Sequence, residues 1–159
     1  MSGSSLRFLG FLASFASLVF FVLGMAPRDA TAAEPSVSHV VSDTDLEWGS
    51  CPDFFPAGCQ IAVLHGDPSQ PNVDVFFRVP GNYDLPAHRH TSAERMVLVA
   101  GELNVTYDGQ PTVNLKPGTY AYGPAALSHS GRCVSDEACV LFIAFEASLD
   151  ATPVSSDPK

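Results

Sequence analysis

Basic residues are scarce. Lys and Arg number 8 against 17 Asp and Glu, and the formal net charge is −9 with the five His neutral. An acidic surface repels phosphate backbones and anionic headgroups, so no nucleic-acid partner is expected. Sustained helical periodicity is missing beyond the N-terminal segment, which argues against a helical bundle. There is no internal repeat of fixed period. Low-complexity character is confined to the N-terminal segment and a polar tail over 151–159. Cysteine is limited to Cys51, Cys59, Cys133 and Cys139. Neither close pair has the C-x-x-C spacing usual in zinc sites.

Long apolar runs are also lacking, with one exception. Phe8 to Met25 is almost unbroken, with Arg7 before it and the small residues Ala30-Thr31-Ala32 after it. A positive start, an apolar centre and an A-x-A-like site read as a secretory signal peptide over 1–32. The alternative is an uncleaved anchor, because the run approaches membrane-spanning length. With the signal peptide removed, what remains is near the common size of one domain and is expected to be free of the membrane. The expected location is secreted or periplasmic. An oxidising compartment and an even cysteine count favour disulfides. Three pairings are possible, and the short loops favour Cys51–Cys59 and Cys133–Cys139. A single loop of that size contributes about 2–3 kcal/mol on the chain-entropy model.

What the chain does have is a series of short β-like segments. A linker over 33–44 is rich in Ser, Pro and Asp, and the domain over 45–150 begins near Leu46-Glu47-Trp48. Strand candidates follow at Gln60 to Leu64, Val73 to Val79, Arg95 to Ala100, Leu103 to Tyr107, Thr112 to Leu115, Thr119 to Tyr122 and Ala138 to Ala147. Asp108-Gly109 is a strong hairpin signal between two of them. Proline and glycine fall at strand ends rather than inside, as ladder hydrogen bonding requires. Turn signals every eight to twelve residues indicate an all-β sandwich or barrel.

The chemistry concentrates in Pro86-Ala87-His88-Arg89-His90-Thr91-Ser92-Ala93-Glu94. On a strand, a spacing of two puts His88 and His90 on one face. A short turn can return Glu94 beside both rings, and His129 lies on a later β segment. Each residue alone has a bland reading, since a lone His-x-His commonly sits on a solvated strand. Together, three imidazoles and a carboxylate suit one divalent transition metal (Fe, Mn, Ni, Cu, Co or Zn). On a six-coordinate ion they leave two positions for water or substrate.

These residues resemble the cupin superfamily. Its first motif has glycine, His-x-His, Glu and glycine, and here it reads Gly81, His88, His90, Glu94, Gly101. Six residues separate Gly81 from His88 where the family usually has five. The second motif reads Gly118, Pro124, Ala126, His129, Cys133, with Ala126 in place of a glycine and Cys133 in place of an asparagine. The resemblance implies a double-stranded β-helix, or jelly-roll, barrel holding a metal on His88, His90, Glu94 and His129.

Alternation places Met96 and Leu98 on the face of Glu94. Met96 can neither take nor give a proton. Tyr120 and Tyr122 share a face, with packing or a rim contact the simpler reading for each. Arg78 could bind a carboxylate but reads more simply as a surface residue. His39 and His65 are structural or solvent-facing, and Trp48 packs a barrel end. No catalytic residue is assigned. The favoured function is an exported metal-binding cupin, as a metal-dependent enzyme such as a dioxygenase on a small organic substrate. The alternative is a non-catalytic module binding a metal or small ligand. A third reading is a stable structural protein that keeps the site without turnover. The partner is a small molecule, and a homodimer is compatible with the sequence.

Overall fold

The computed structural model describes residues 33–155. The signal peptide expected over 1–32 lies outside the described residues. Eleven strands run through the described chain: β1 (Trp48–Ser50), β2 (Gln60–His65), β3 (Val73–Val79), β4 (Asp84–Arg89), β5 (Glu94–Ala100), β6 (Leu103–Tyr107), β7 (Val113–Leu115), β8 (Tyr120–Gly123), β9 (His129–Cys133), β10 (Cys139–Phe145) and β11 (Thr152–Pro153). No helix occurs among the described residues.

The strands form two antiparallel sheets. One has the order β1-β2-β3-β10-β5-β8 and the other β11-β4-β9-β6-β7. The crossing connections between the sheets make the expected all-β jelly-roll barrel. The expected strands all form, with ends shifted by one or two residues. Four elements go beyond the seven strand candidates: β1, β4 as a full strand, β9, read only as a later β segment carrying His129, and β11, which lies in the segment read as a polar tail.

Register explains how the interior is built. Met96 of β5 pairs with Ile143 of β10, which pairs with Val75 of β3. Leu98 pairs with Leu141, which pairs with Phe77. The opposite sheet brings Leu85 and Val105 level with Gly131. These apolar layers face inward because alternate residues of a strand share a face. At one end the layers turn polar. Tyr107, His129 and His88 lie in one row across β6, β9 and β4, and Glu94 stands beside Phe145 and Gly123 on the other sheet.

The disulfides are Cys51–Cys59 and Cys133–Cys139. The second closes the turn between β9 and β10. This is the physical role of Cys133 at the position of the family asparagine. Gly81 allows that turn to approach, since a Cβ there would lie 2.1 Å from the Asp136 carbonyl oxygen.

Candidate metal centre

The first motif carries one residue more than usual between Gly81 and His88, and β4 has a register shift within that segment. Leu85 pairs with Gly131 and His88 with His129, so three steps on β4 face two on β9. This irregularity has the count of a β-bulge. It falls at Pro86-Ala87, where proline has no N–H to lose from the ladder. Beyond it, His88 and His90 point inward while Arg89 between them is exposed, as a spacing of two requires.

The turn between β4 and β5 returns Glu94 to the rings. Ser92 is buried there. Its hydroxyl donates to the Ala93 carbonyl at 2.7 Å and accepts from the Ala147 N–H at 2.9 Å. The Ala126 N–H donates to the His90 carbonyl at 2.8 Å. Ala126 has φ 62°, the left-handed conformation that explains the family glycine at this position.

The three imidazoles converge. One nitrogen from each of His88, His90 and His129 lies within 4.8 Å of the others, a group that can hold a metal ion. His90 Nε2 is 3.2 Å from Glu94 Oε1, and His129 Nε2 is 3.7 Å from Glu94 Oε2. The remaining ring nitrogens face backbone carbonyls: His88 Nδ1 to Pro86 at 2.7 Å, His129 Nδ1 to Leu127 at 3.4 Å, and His90 Nδ1 to Asp150. A carbonyl only accepts, so Nδ1 carries the proton and the Nε2 lone pairs are free to coordinate. His90 Nε2 is buried and makes no hydrogen bond. An orphaned imidazole nitrogen beside two others and a carboxylate is the donor set of a transition-metal site.

The electrostatics agree with that chemistry. Burial lowers His88 to about 4 and His129 to about 3, each with neighbouring imidazoles adding to the effect. His90 is lowered by burial as well. The rings are therefore neutral at pH 7, as ligation requires. Burial raises Glu94 to about 8, since an isolated carboxylate in an apolar site resists ionising.

The imidazoles sit at the polar end of a cavity of about 440 Å³. Aliphatic and aromatic side chains from both sheets form most of its wall. Cover comes from two segments. The Cys51–Cys59 loop brings Phe55 against His88, with ring centroids 5.0 Å apart. The segment from Leu149 to Ala151 lines the opposite side, and β11 then pairs with β4 at Arg89 and His88.

Four residues of the site escaped the sequence reading. Asp150 orients His90 through its carbonyl, and its carboxylate accepts from the Thr91 N–H at 2.9 Å. Sixty residues separate it from His90, so no local pattern marks it. Ser92 and Phe55 have no local signal either. Tyr107 had one, because it shares a face with Leu103 and Val105. Its ring lies 5.0 Å from that of His129, and its buried hydroxyl has no hydrogen-bond partner. Burial and the adjacent Glu94 raise its pKa. A Cβ at Gly123 would crowd both Tyr107 Oη and Glu94 Oε2, at 2.6 and 2.8 Å. Glycine leaves room for the pair.

Other expectations resolve simply. Met96 lines the cavity, and Leu98 is wholly buried behind it. Tyr120 and Tyr122 are 59% and 50% exposed and stay outside. Arg78 stacks over Trp48 at 3.8 Å and donates to Gln60 Oε1. His39 sits beside Asp43 and Asp45 at the surface, and His65 is exposed.

Comparison with known proteins agrees with this architecture. The chain is similar in structure to a DMSP lyase at 18% identity, with TM-score 0.61, covering 69% of this chain and 63% of that one. It is similar to DMSP lyase DddQ from Ruegeria pomeroyi DSS-3 at 22% identity, with TM-score 0.57, covering 72% and 62%. It also resembles a variant of Bacillus subtilis oxalate decarboxylase at 20% identity, with TM-score 0.54, covering 62% of this chain and 29% of that one. The chain thus spans less than two thirds of each of these proteins, and at such identities the likeness establishes the fold. No curated protein sequence matches the chain. The family model of the ChrR cupin-like domain matches residues 36–148, nearly the whole β unit and both motifs. The chain belongs to the ChrR cupin-like family of the cupin superfamily.

Proposed function

We propose that this is an exported cupin that holds one divalent transition metal on His88, His90, Glu94 and His129 and presents it to a small organic molecule as a metal-dependent enzyme. One observation carries the reading: three neutral imidazoles and a buried carboxylate meet at one end of a mostly apolar cavity. A purely structural histidine cluster would hydrogen-bond each nitrogen, and His90 Nε2 makes no hydrogen bond although Glu94 Oε1 lies 3.2 Å away. The cavity at the ligands supports catalysis over storage, as do structural neighbours named as lyases and a decarboxylase. Two disulfides among the described residues support an oxidising compartment. No described helix is long and apolar enough to cross a membrane.

A metal at this position would supply Lewis-acid polarisation or activation of O₂. The protein does the rest. The backbone carbonyls of Pro86, Leu127 and Asp150 fix the ring tautomers. Phe55 and Phe145 pack on His88 and His90 and exclude water from the ligands. Glu94 gives up its proton when a cation binds, since the cation offsets the burial that holds it neutral.

The test is elemental analysis of protein isolated from its native compartment, with His88→Ala and His129→Ala beside it. The expected result is one transition-metal ion per chain, lost in both variants. Full metal content in both variants would sink the site. Oxygen uptake or substrate turnover by the loaded protein, lost with the metal, separates an enzyme from a binding module.

A further inference from the structure

The cavity wall says what kind of molecule it accepts. Five Lys and Arg occur among the described residues, and none lines the cavity. Arg78 is stacked on Trp48, Arg95 pairs with Glu146, and Arg132 pairs with Asp84. Arg89 and Lys116 point to solvent. The wall away from the imidazoles is built from Val75, Phe77, Val105, Leu141 and Ile143. Its one ionisable group outside the ligand set is Asp150, which is acidic and already bonded to the Thr91 N–H.

A charged group on the body of a bound molecule would meet no counter-charge there. Burying it unpaired costs far more than an apolar wall returns. A metal-binding oxygen-donor head finds its partners at the imidazole end, and elsewhere the lining offers hydroxyls at Ser50 and Ser130 but no cation. Resting on the metal-site reading above, we propose that the cavity takes an uncharged, apolar small molecule carrying one oxygen-donor head, and rejects molecules of equal length with a second charged end. A volume of about 440 Å³ lies toward the small end of the usual range for ligand pockets.

Two probes with one head group test this. Hexanohydroxamic acid and the monohydroxamic acid of adipic acid share chain length and chelating head, and differ in a terminal carboxylate. On cobalt-loaded protein, calorimetry and the visible spectrum of the cobalt report binding. The apolar probe is expected to bind more tightly by at least about 10-fold. Equal or reversed affinities on fully loaded protein would overturn the proposal and leave the metal site standing. In metal-free protein, hexan-1-ol is expected to shift NMR signals of the cavity-lining methyl groups, and 6-hydroxyhexanoate is not. That comparison holds even if cobalt fails to bind, which would instead remove the metal-site reading. No shift with hexan-1-ol, or equal shifts with both, counts against the cavity assignment. Ile61→Arg places a cation on the wall from a half-buried position of β2. It is expected to move the preference toward the carboxylate probe by about 10-fold, and an unmoved preference overturns the proposal.

Discussion

Ala126 holds φ 62° in the turn just before β9. A left-handed conformation costs a residue with a Cβ roughly 1–2 kcal/mol, against less than about 1 kcal/mol of extra chain entropy for glycine. Ala126→Gly is therefore expected to stabilise the protein by about 0.5 kcal/mol, read from urea denaturation midpoints. Glu94 gives a second prediction. In metal-free protein it keeps its proton up to about pH 8, whereas an unfolded chain releases it near 4.5. The folded state binds more protons across that window, so stability falls as pH rises through it. The histidines act in the opposite sense. Folding lowers His88 and His129 from 6.5 to about 4 and 3, so their contribution rises with pH and levels off about one pH unit above 6.5. By about pH 7.5 the histidine contribution has levelled off, and from there to 8 the Glu94 effect dominates. Denaturation midpoints of metal-free protein should decline over that interval, and saturating metal or Glu94→Gln should abolish the decline.

At the level of elements, two short segments at either end of the domain control the site. Removing the chain after Leu149 deletes Asp150 and β11, and with them the acceptor for His90 Nδ1. Losing an orienting partner of this kind typically costs about 10-fold or more in metal affinity. A competition titration against a chelator checks this, with circular dichroism to confirm that the sheets persist. At the other end, Cys51→Ala with Cys59→Ala is expected to cost about 2–3 kcal/mol of stability, from released chain entropy. The strands themselves were legible because alternation and turn residues are local signals: Asp108-Gly109 announces the β6–β7 hairpin, and Val73 to Val79 forms as read. The controlling segments were not. β11 has two residues and exists only because Thr152 and Pro153 lie against Arg89 and His88. Asp150 and Phe55 matter through long-range packing, and single-sequence periodicity carries no trace of that.

For the whole molecule, the barrel, and the convergence of His88, His90, Glu94 and His129 at one end of it, were readable from spacing together with the cupin resemblance. The departures in the motifs have structural counterparts: the segment that carries one extra residue contains a register shift in β4, and Cys133 belongs to a disulfide. The cavity's character was less readable, since it depends on where every basic side chain ends up. Bound metal should also stabilise the native state by mass action, by about 2.7 kcal/mol at a free concentration 100 times its Kd. A melting temperature that rises with metal concentration in the natural protein, and stays level in His129→Ala, checks that linkage.

The bond between His90 and the Asp150 carbonyl spans sixty positions, and it bears on when the centre can mature. His88, His90, Glu94 and His129 come from β4, the β4–β5 turn, β5 and β9, but the contact that orients His90 comes from the segment just before β11. Until that segment folds back, the three imidazoles lack one of their orienting contacts. A metal held there as proposed would be gripped by a fully oriented His90 only once the segment carrying Asp150 has folded back onto it.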